Sequence, residues 1–95
     1  MPVLWTRPAL ADVEALQDFM AAENPGAAWR LVDDLFHRAE RLLASNPHAG
    51  RKGRVLGTRE IVLSGIPFIV AYRVTNRVEI LAVVHSARDW PKSFS

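Results

Sequence analysis

Apolar positions recur along the chain with two different periods, and the change of period divides the sequence in two. Val3-Leu4-Trp5 is short, apolar and β-favouring, which predicts an edge strand. Thr6 follows as a candidate helix cap, with Pro8 tolerated in the first turn. Ala9, Val13, Leu16 and Met20 then fall on one helical stripe, with Asp12, Glu14 and Asp18 largely off it, so the pattern predicts an amphipathic helix over about 8–22. Asn24-Pro25-Gly26 breaks and restarts the chain, Asn24 as cap and Pro25 at the first helical position. The second stripe is Ala28, Val32, Leu35, Ala39 and Leu42, widened by Leu31, Phe36 and Leu43, and it runs to about Ser45 before Asn46-Pro47 stops it. Two such helices joined by a tight turn predict an antiparallel hairpin.

After Pro47 the helical period disappears. Residues 48–57 form a glycine-punctuated basic connection, and Thr58–Leu63 reads as a strand. Ser64-Gly65-Ile66-Pro67 is a turn, Phe68–Val74 a second strand, Thr75-Asn76-Arg77 a hairpin connection and Val78–His85 a third strand. Short turns make these strands antiparallel neighbours. The near-continuous apolar run of the last one predicts a central position. Ser86–Ser95 is a polar tail containing Pro91. The expected fold class is α+β: an N-terminal strand and an antiparallel two-helix hairpin packed on a small antiparallel β-sheet.

Composition narrows the class. A chain of 95 residues, 49% hydrophobic and 23% charged, fits one globular domain spanning 1–95. Its core is small, so a partner could add much of its stability. The absence of cysteine excludes a disulfide framework and thiolate metal sites. Met1–Arg7 lacks the basic region and apolar run of a signal peptide, and no apolar stretch approaches the roughly 20 residues of a membrane span. The expected location is cytoplasmic.

Charge is divided unevenly. Residues 1–47 carry four basic and seven acidic side chains, whereas residues 48–95 carry eight and three. A polyanion would meet the C-terminal half, where Arg51, Lys52 and Arg54 are the candidate contacts for a target or nucleic acid, unless these cations are simply solvated on an exposed face. Gly50, Gly53 and Gly57 match neither the dinucleotide fingerprint nor the P-loop, and no helix follows them. His37, His48 and His85 are too dispersed for a local metal motif, and Ser64 and Ser86 lack a nucleophile elbow. Neither metal nor cofactor is expected.

Two candidate chemistries survive. His85 closes an apolar strand and could act as a general acid or base, or serve only as a strand-end residue. Arg59, Arg73 and Arg88 could converge on one rim to hold a phosphodiester or a carboxylate-rich peptide, unless Glu60, Glu79 and Asp89 pair with them instead. Trp5, Trp29 and Trp90 are expected to be packing residues.

Several motifs together resemble the RelE/ParE toxin superfamily of type II toxin-antitoxin modules. They are V-L-W-T-x-x-A-x-x-D-V (Val3–Val13), N-P-x-A-A-W (Asn24–Trp29), L-x-x-N-P-x-A-G-R (Leu43–Arg51) and G-T-R-E-I (Gly57–Ile61). I-P-F-I-V-A-Y-R-V (Ile66–Val74) and E-I-L-A-V-V-H-S-A-R-D-W-P (Glu79–Pro91) complete the set, in order along almost the whole chain. The resemblance implies the strand, hairpin and sheet already read from periodicity. It also implies a cognate antitoxin whose C-terminal segment wraps the toxin in a hetero-oligomer; the basic half suits an acidic segment that folds on binding.

RelE-like members cut messenger RNA on the ribosome, and ParE-like members poison DNA gyrase. Nucleases resembling RelE often carry an arginine three residues before the strand tyrosine, where this chain has Ile69 before Tyr72, and a tyrosine after the histidine, where it has Ser86. A nuclease here would rely on His85, Arg73, Arg59 and Arg88. The resemblance therefore favours a ParE-like, non-enzymatic toxin acting on gyrase. The alternatives are a ribosome-dependent mRNA endoribonuclease and a non-toxic antitoxin-binding module.

Overall fold

The computed structural model describes residues 1–85; Ser86, Arg88, Asp89, Trp90 and the rest of the polar tail lie outside the described residues. The elements are β1 (Val3–Trp5), α1 (Arg7–Ala21), α2 (Pro25–Ser45), β2 (Arg51–Lys52), β3 (Arg59–Val62), β4 (Phe68–Val74) and β5 (Val78–His85). They form one five-stranded sheet in the order β1-β5-β4-β3-β2.

Both helices begin where their capping residues dictate. The Thr6 hydroxyl accepts the Ala9 N–H at 3.4 Å, and the Asn24 side chain accepts that of Ala27 at 3.1 Å. The Met20 carbonyl takes the N–H groups of both Glu23 and Asn24, closing the first helix into a short connection. Ala28, Val32, Leu35, Ala39 and Leu43 form the buried stripe of α2, and Ala9 and Val13 that of α1. These pack on Ile61, Phe68, Val70, Tyr72, Val78, Ile80 and Val83 of the sheet and on Leu63 just past β3. Each fully buried leucine of this core contributes about 2 kcal/mol by leaving water. Gly65, at φ +79°, turns the chain between β3 and β4, with the Ile66 N–H bonded to the Leu63 carbonyl at 3.0 Å.

The fold class agrees with expectation, and three details differ. First, the sheet is mixed: β1 pairs with β5 in parallel, in the register Val3↔Val78, Leu4↔Glu79 and Trp5↔Ile80. That pairing joins segments far apart in sequence, where no turn signal announces strand direction. Second, the basic connection contains the two-residue edge strand β2, antiparallel to β3. Third, Trp29 is 63% exposed, because it lies beside the buried stripe that begins at Ala28. Trp5 does pack, edge-on to Phe36 at 4.5 Å, and its indole N–H donates to Glu40 at 3.0 Å.

Strand β5 lies between β1 and β4, in agreement with its apolar run. β1 covers only its first three residues, and α1 seals the next part of the exposed edge. The Thr6 N–H and hydroxyl both donate to the Ile80 carbonyl, at 3.1 and 2.6 Å. Nearly two turns further along α1, the Asp12 carboxylate accepts the Val83 N–H at 3.0 Å. A register shift opposite Ala71 and Tyr72 leaves Leu81 as the extra residue of β5.

Candidate functional site

Side-chain alternation separates the cations of the C-terminal half by face. Phe68, Val70 and Tyr72 point under the helices, so Ile69, Ala71 and Arg73 point to the far face. Glu60 lies on that far face, only 2% exposed, directly across from Arg51. Its carboxylate receives Arg51 Nη2 at 3.3 Å and the Arg54 N–H at 2.8 Å, with Arg54 Nε at 3.8 Å. Glu79 is treated alike: it faces Arg73 across the β4–β5 pair and accepts from Arg73 Nε. Arg77 adds Nε at 3.2 Å and Nη2 at 3.1 Å. The hydrogen bond from Arg73, then that from Arg77, holds the Glu79 carboxyl below the usual carboxylate range. Four arginines thus surround two carboxylates. Pairing wins at Arg73, whereas the partners of Glu60 are Arg51 and Arg54 rather than Arg59.

The helix-side face of the same corner is built differently. Arg59 lies opposite Tyr72 on one side and Lys52 on the other. Its Nη1 donates to the carbonyls of Gly50 at 2.8 Å and His48 at 3.4 Å. The Gly50 N–H in turn donates to the fully buried Tyr72 hydroxyl at 2.8 Å. Burial pushes the Tyr72 hydroxyl pKa up, opposed by the Gly50 bond and the Arg59 charge. Gly50 has no room for a side chain, since a Cβ there would lie 2.6 Å from the Tyr72 hydroxyl and 2.8 Å from the Glu60 carbonyl. Segment 48–50 is therefore pinned across the sheet end.

Beside it opens a hollow of about 420 Å³ lined by His48, Lys52, Gly57, Thr58, Arg59 and Val74. One wall is the turn 55–58, closed by the Thr58 N–H on the Val55 carbonyl at 3.2 Å with Gly57 at φ +79°, a geometry that favours glycine. Thr58 braces the turn by donating its hydroxyl to the same carbonyl at 2.6 Å.

The nuclease candidates do not converge. His85 pairs with Phe68 at one end of β4 and meets its ring edge-on at 6.0 Å. Arg73 is five positions along that strand, roughly 17 Å away, and on the other face. Arg59 is near the Arg73 end but on the helix side. Arg88 lies outside the described residues, and Ile69 is buried. No group of three or more His, Asp or Glu side chains suited to a metal occurs among the described residues. Sequence reasoning missed Asp12 and the anchoring role of Tyr72. Tyr72 had a signal, a hydroxyl inside a run of buried aliphatic residues, whereas Asp12 had none.

Residues 3–90 match the family model for the ParE toxin of the type II toxin-antitoxin system parDE. The chain belongs to the ParE toxin family. It is accordingly the toxin component of a type II system, within the RelE/ParE superfamily, and such a system implies a cognate antitoxin. Among its relatives, the Sinorhizobium fredii protein Y4kP is 39% identical over 90 residues, covering 95% of this chain and 93% of the relative. Toxin RelE2 of Caulobacter vibrioides is 36% identical over 87 residues, covering 90% and 96%. A solved structure of the chromosomal ParDE system from P. aeruginosa superposes with a TM-score of 0.81 at 32% identity, covering 90% of this chain and 95% of that one. No helix among the described residues of this ParE-family chain is long and apolar enough to cross a membrane.

Proposed function

We propose that this ParE-family toxin arrests growth in the cytoplasm by inhibiting DNA gyrase without itself catalysing a reaction, and that an acidic antitoxin segment neutralises it. The observation that carries this reading is the separation of His85 from Arg73 by most of a strand and by the thickness of the sheet, with Arg73 held by Glu79. Nucleolytic cleavage by these groups needs an acid or base and a phosphate ligand within one site, about 3 Å from the reacting atoms. Family membership supplies the remaining support, and the separate basic corner offers a surface for contact rather than chemistry.

The test is a gyrase supercoiling and cleavage assay beside a primer-extension map of a message in a translating extract. Inhibited supercoiling with an intact message is expected. The endoribonuclease reading is kept as the alternative because one relative carries the name RelE2. Site-specific message cuts with unaffected gyrase would establish that alternative and overturn ours. Normal growth at high expression, with no antitoxin present, would replace both with a non-toxic binding module.

A further inference from the structure

Lys52 and Arg59 are direct cross-strand partners, and like charges so placed repel each other. On the other face of the same two residue pairs, Arg51 stands opposite Glu60 and the charges cancel. The Lys52 side chain makes no ion pair or hydrogen bond among the described residues, and no carboxylate there reaches Arg59, whose Nη1 is occupied by two carbonyls. Both cations face the hollow of about 420 Å³, and His48 lines it as well. The repulsion is built in, because the carbonyls of Gly50 and His48 hold the guanidinium in place and Gly50 is itself fixed by Tyr72.

We propose that His48, Lys52 and Arg59 form a phosphate-binding site at this corner, through which the chain grips the sugar-phosphate backbone of duplex DNA. A fixed guanidinium beside a movable ammonium is a preorganised anion receptor. The several oxygens of a phosphate can accept from the lysine, the arginine and the imidazole together, whereas a carboxylate offers two. Among the described cations of the sheet the field is also local to this corner, since Arg51, Arg54, Arg73 and Arg77 are drawn to Glu60 and Glu79 on the far face. An anion here relieves the Lys52–Arg59 repulsion as well as meeting a positive charge. The choice of duplex DNA rests on the gyrase reading; the phosphate site does not.

The test uses the purified chain without gyrase. Inorganic phosphate is titrated while the amide signals of Lys52, Gly57, Thr58 and Arg59 are followed, and a labelled 20-base-pair duplex is titrated by anisotropy across a salt series. Phosphate should shift those four amides together. Lys52→Ala should reduce the slope of log affinity against log salt by about 0.9, equivalent to a loss on the order of ten-fold at 0.1 M salt. Arg77→Ala, which removes a cation held by Glu79, should change the slope much less. Lys52→Glu should abolish the phosphate shifts while raising the melting temperature, because it places a carboxylate opposite Arg59. An unchanged slope in Lys52→Ala, or phosphate shifts centred elsewhere, would reduce Lys52 to an edge-strand lysine and overturn the site. Tighter binding to single-stranded RNA of equal length would overturn the duplex assignment. Gyrase inhibition is scored separately: a parent chain that grips duplex DNA through this site yet leaves gyrase supercoiling unaffected counts against the gyrase reading alone.

Discussion

Arg51 and Lys52 are adjacent in the chain and project to opposite faces of the same two-residue strand. Arg51 meets a buried carboxylate and becomes part of the structure; Lys52 meets Arg59 and stays available. Among the described residues, the cations of the C-terminal half therefore do not form one basic surface. Two pairs of arginines surround Glu60 and Glu79, and among the described residues of the sheet the charge left for a partner is concentrated where the strand register sets cation against cation. A net-charge count cannot distinguish these outcomes, because strand alternation decides them one residue at a time.

The comparison breaks most severely if the pin between the two faces is removed. Gly50→Ala forces a Cβ to within 2.6 Å of the Tyr72 hydroxyl and 2.8 Å of the Glu60 carbonyl, both buried. The segment has to move, releasing Arg59 from Gly50 and His48. A loss of about 3 kcal/mol is expected in urea denaturation, at the upper end for overpacking a closed site. Tyr72→Phe tests the same link more gently, leaving the glycine in place but its N–H without an acceptor. A Gly50→Ala protein as stable as the parent would mean that the pin is dispensable.

Next in size is the far face. Replacing both Arg51 and Arg54 by alanine leaves Glu60, 2% exposed, with the Arg54 backbone N–H and neither guanidinium. Destabilisation of about 2 kcal/mol is expected, below the range for a fully buried pair because both guanidinium groups are half-exposed. Lys52→Ala in parallel should leave stability unchanged or slightly improved. Equal losses in the two variants would contradict the division between structural and available cations.

Sequence patterning made most of this legible up to the level of elements. Thr6 and Asn24 announced both helix starts, and the buried stripes follow those read from the apolar period, except that Leu43 rather than Leu42 ends the stripe of α2 and that Leu16 and Met20 are only partly buried. The β3–β5 meander followed from its two short turns. What stayed hidden depends on register. Nothing local in Val3-Leu4-Trp5 indicates a parallel partner at Val78–Ile80, and nothing near Arg59 indicates whether Glu60, Lys52 or Gly50 will meet it. The candidate site was therefore readable as a set of residue types. Its division into two faces was not, because a single-residue slip reverses which side chains share a face.

Asp12 and Glu79 extend the comparison to carboxylates, since their environments shift them in opposite directions. Burial pushes the Asp12 pKa up, more than its bond from Val83 pulls it down. A raised folded-state pKa contributes stability that is present below the ordinary aspartate value and is lost as pH rises through the folded value. Asp12→Asn should keep an acceptor for the Val83 N–H, remove that pH dependence, and gain stability relative to the parent at neutral pH. Asp12→Ala leaves the N–H unsatisfied and should lose about 1 kcal/mol at pH 7. Melting curves of the three proteins at pH 4 and pH 7 decide the matter; an asparagine variant as damaged as the alanine one would mean that ionisation of Asp12, not its acceptor, is what holds β5.

The smallest effect belongs to Glu79, whose partners are themselves half-exposed. Its folded-state pKa is depressed, first by the hydrogen bond from Arg73 and then by that from Arg77. A depressed pKa contributes stability that is fully present above the ordinary glutamate value and disappears as pH falls through the folded value. The parent should therefore be more stable than Glu79→Gln at neutral pH, and the difference should close as acid protonates the parent carboxyl. Arg73→Gln removes the larger cause, so the Glu79 carboxyl followed by NMR should titrate closer to its ordinary value than in Arg77→Gln. A larger shift in the Arg77 variant would reverse the order of the two causes. An unmoved titration in both would mean that solvent screens these pairs, leaving Glu60 as the structural carboxylate of the far face among the described residues.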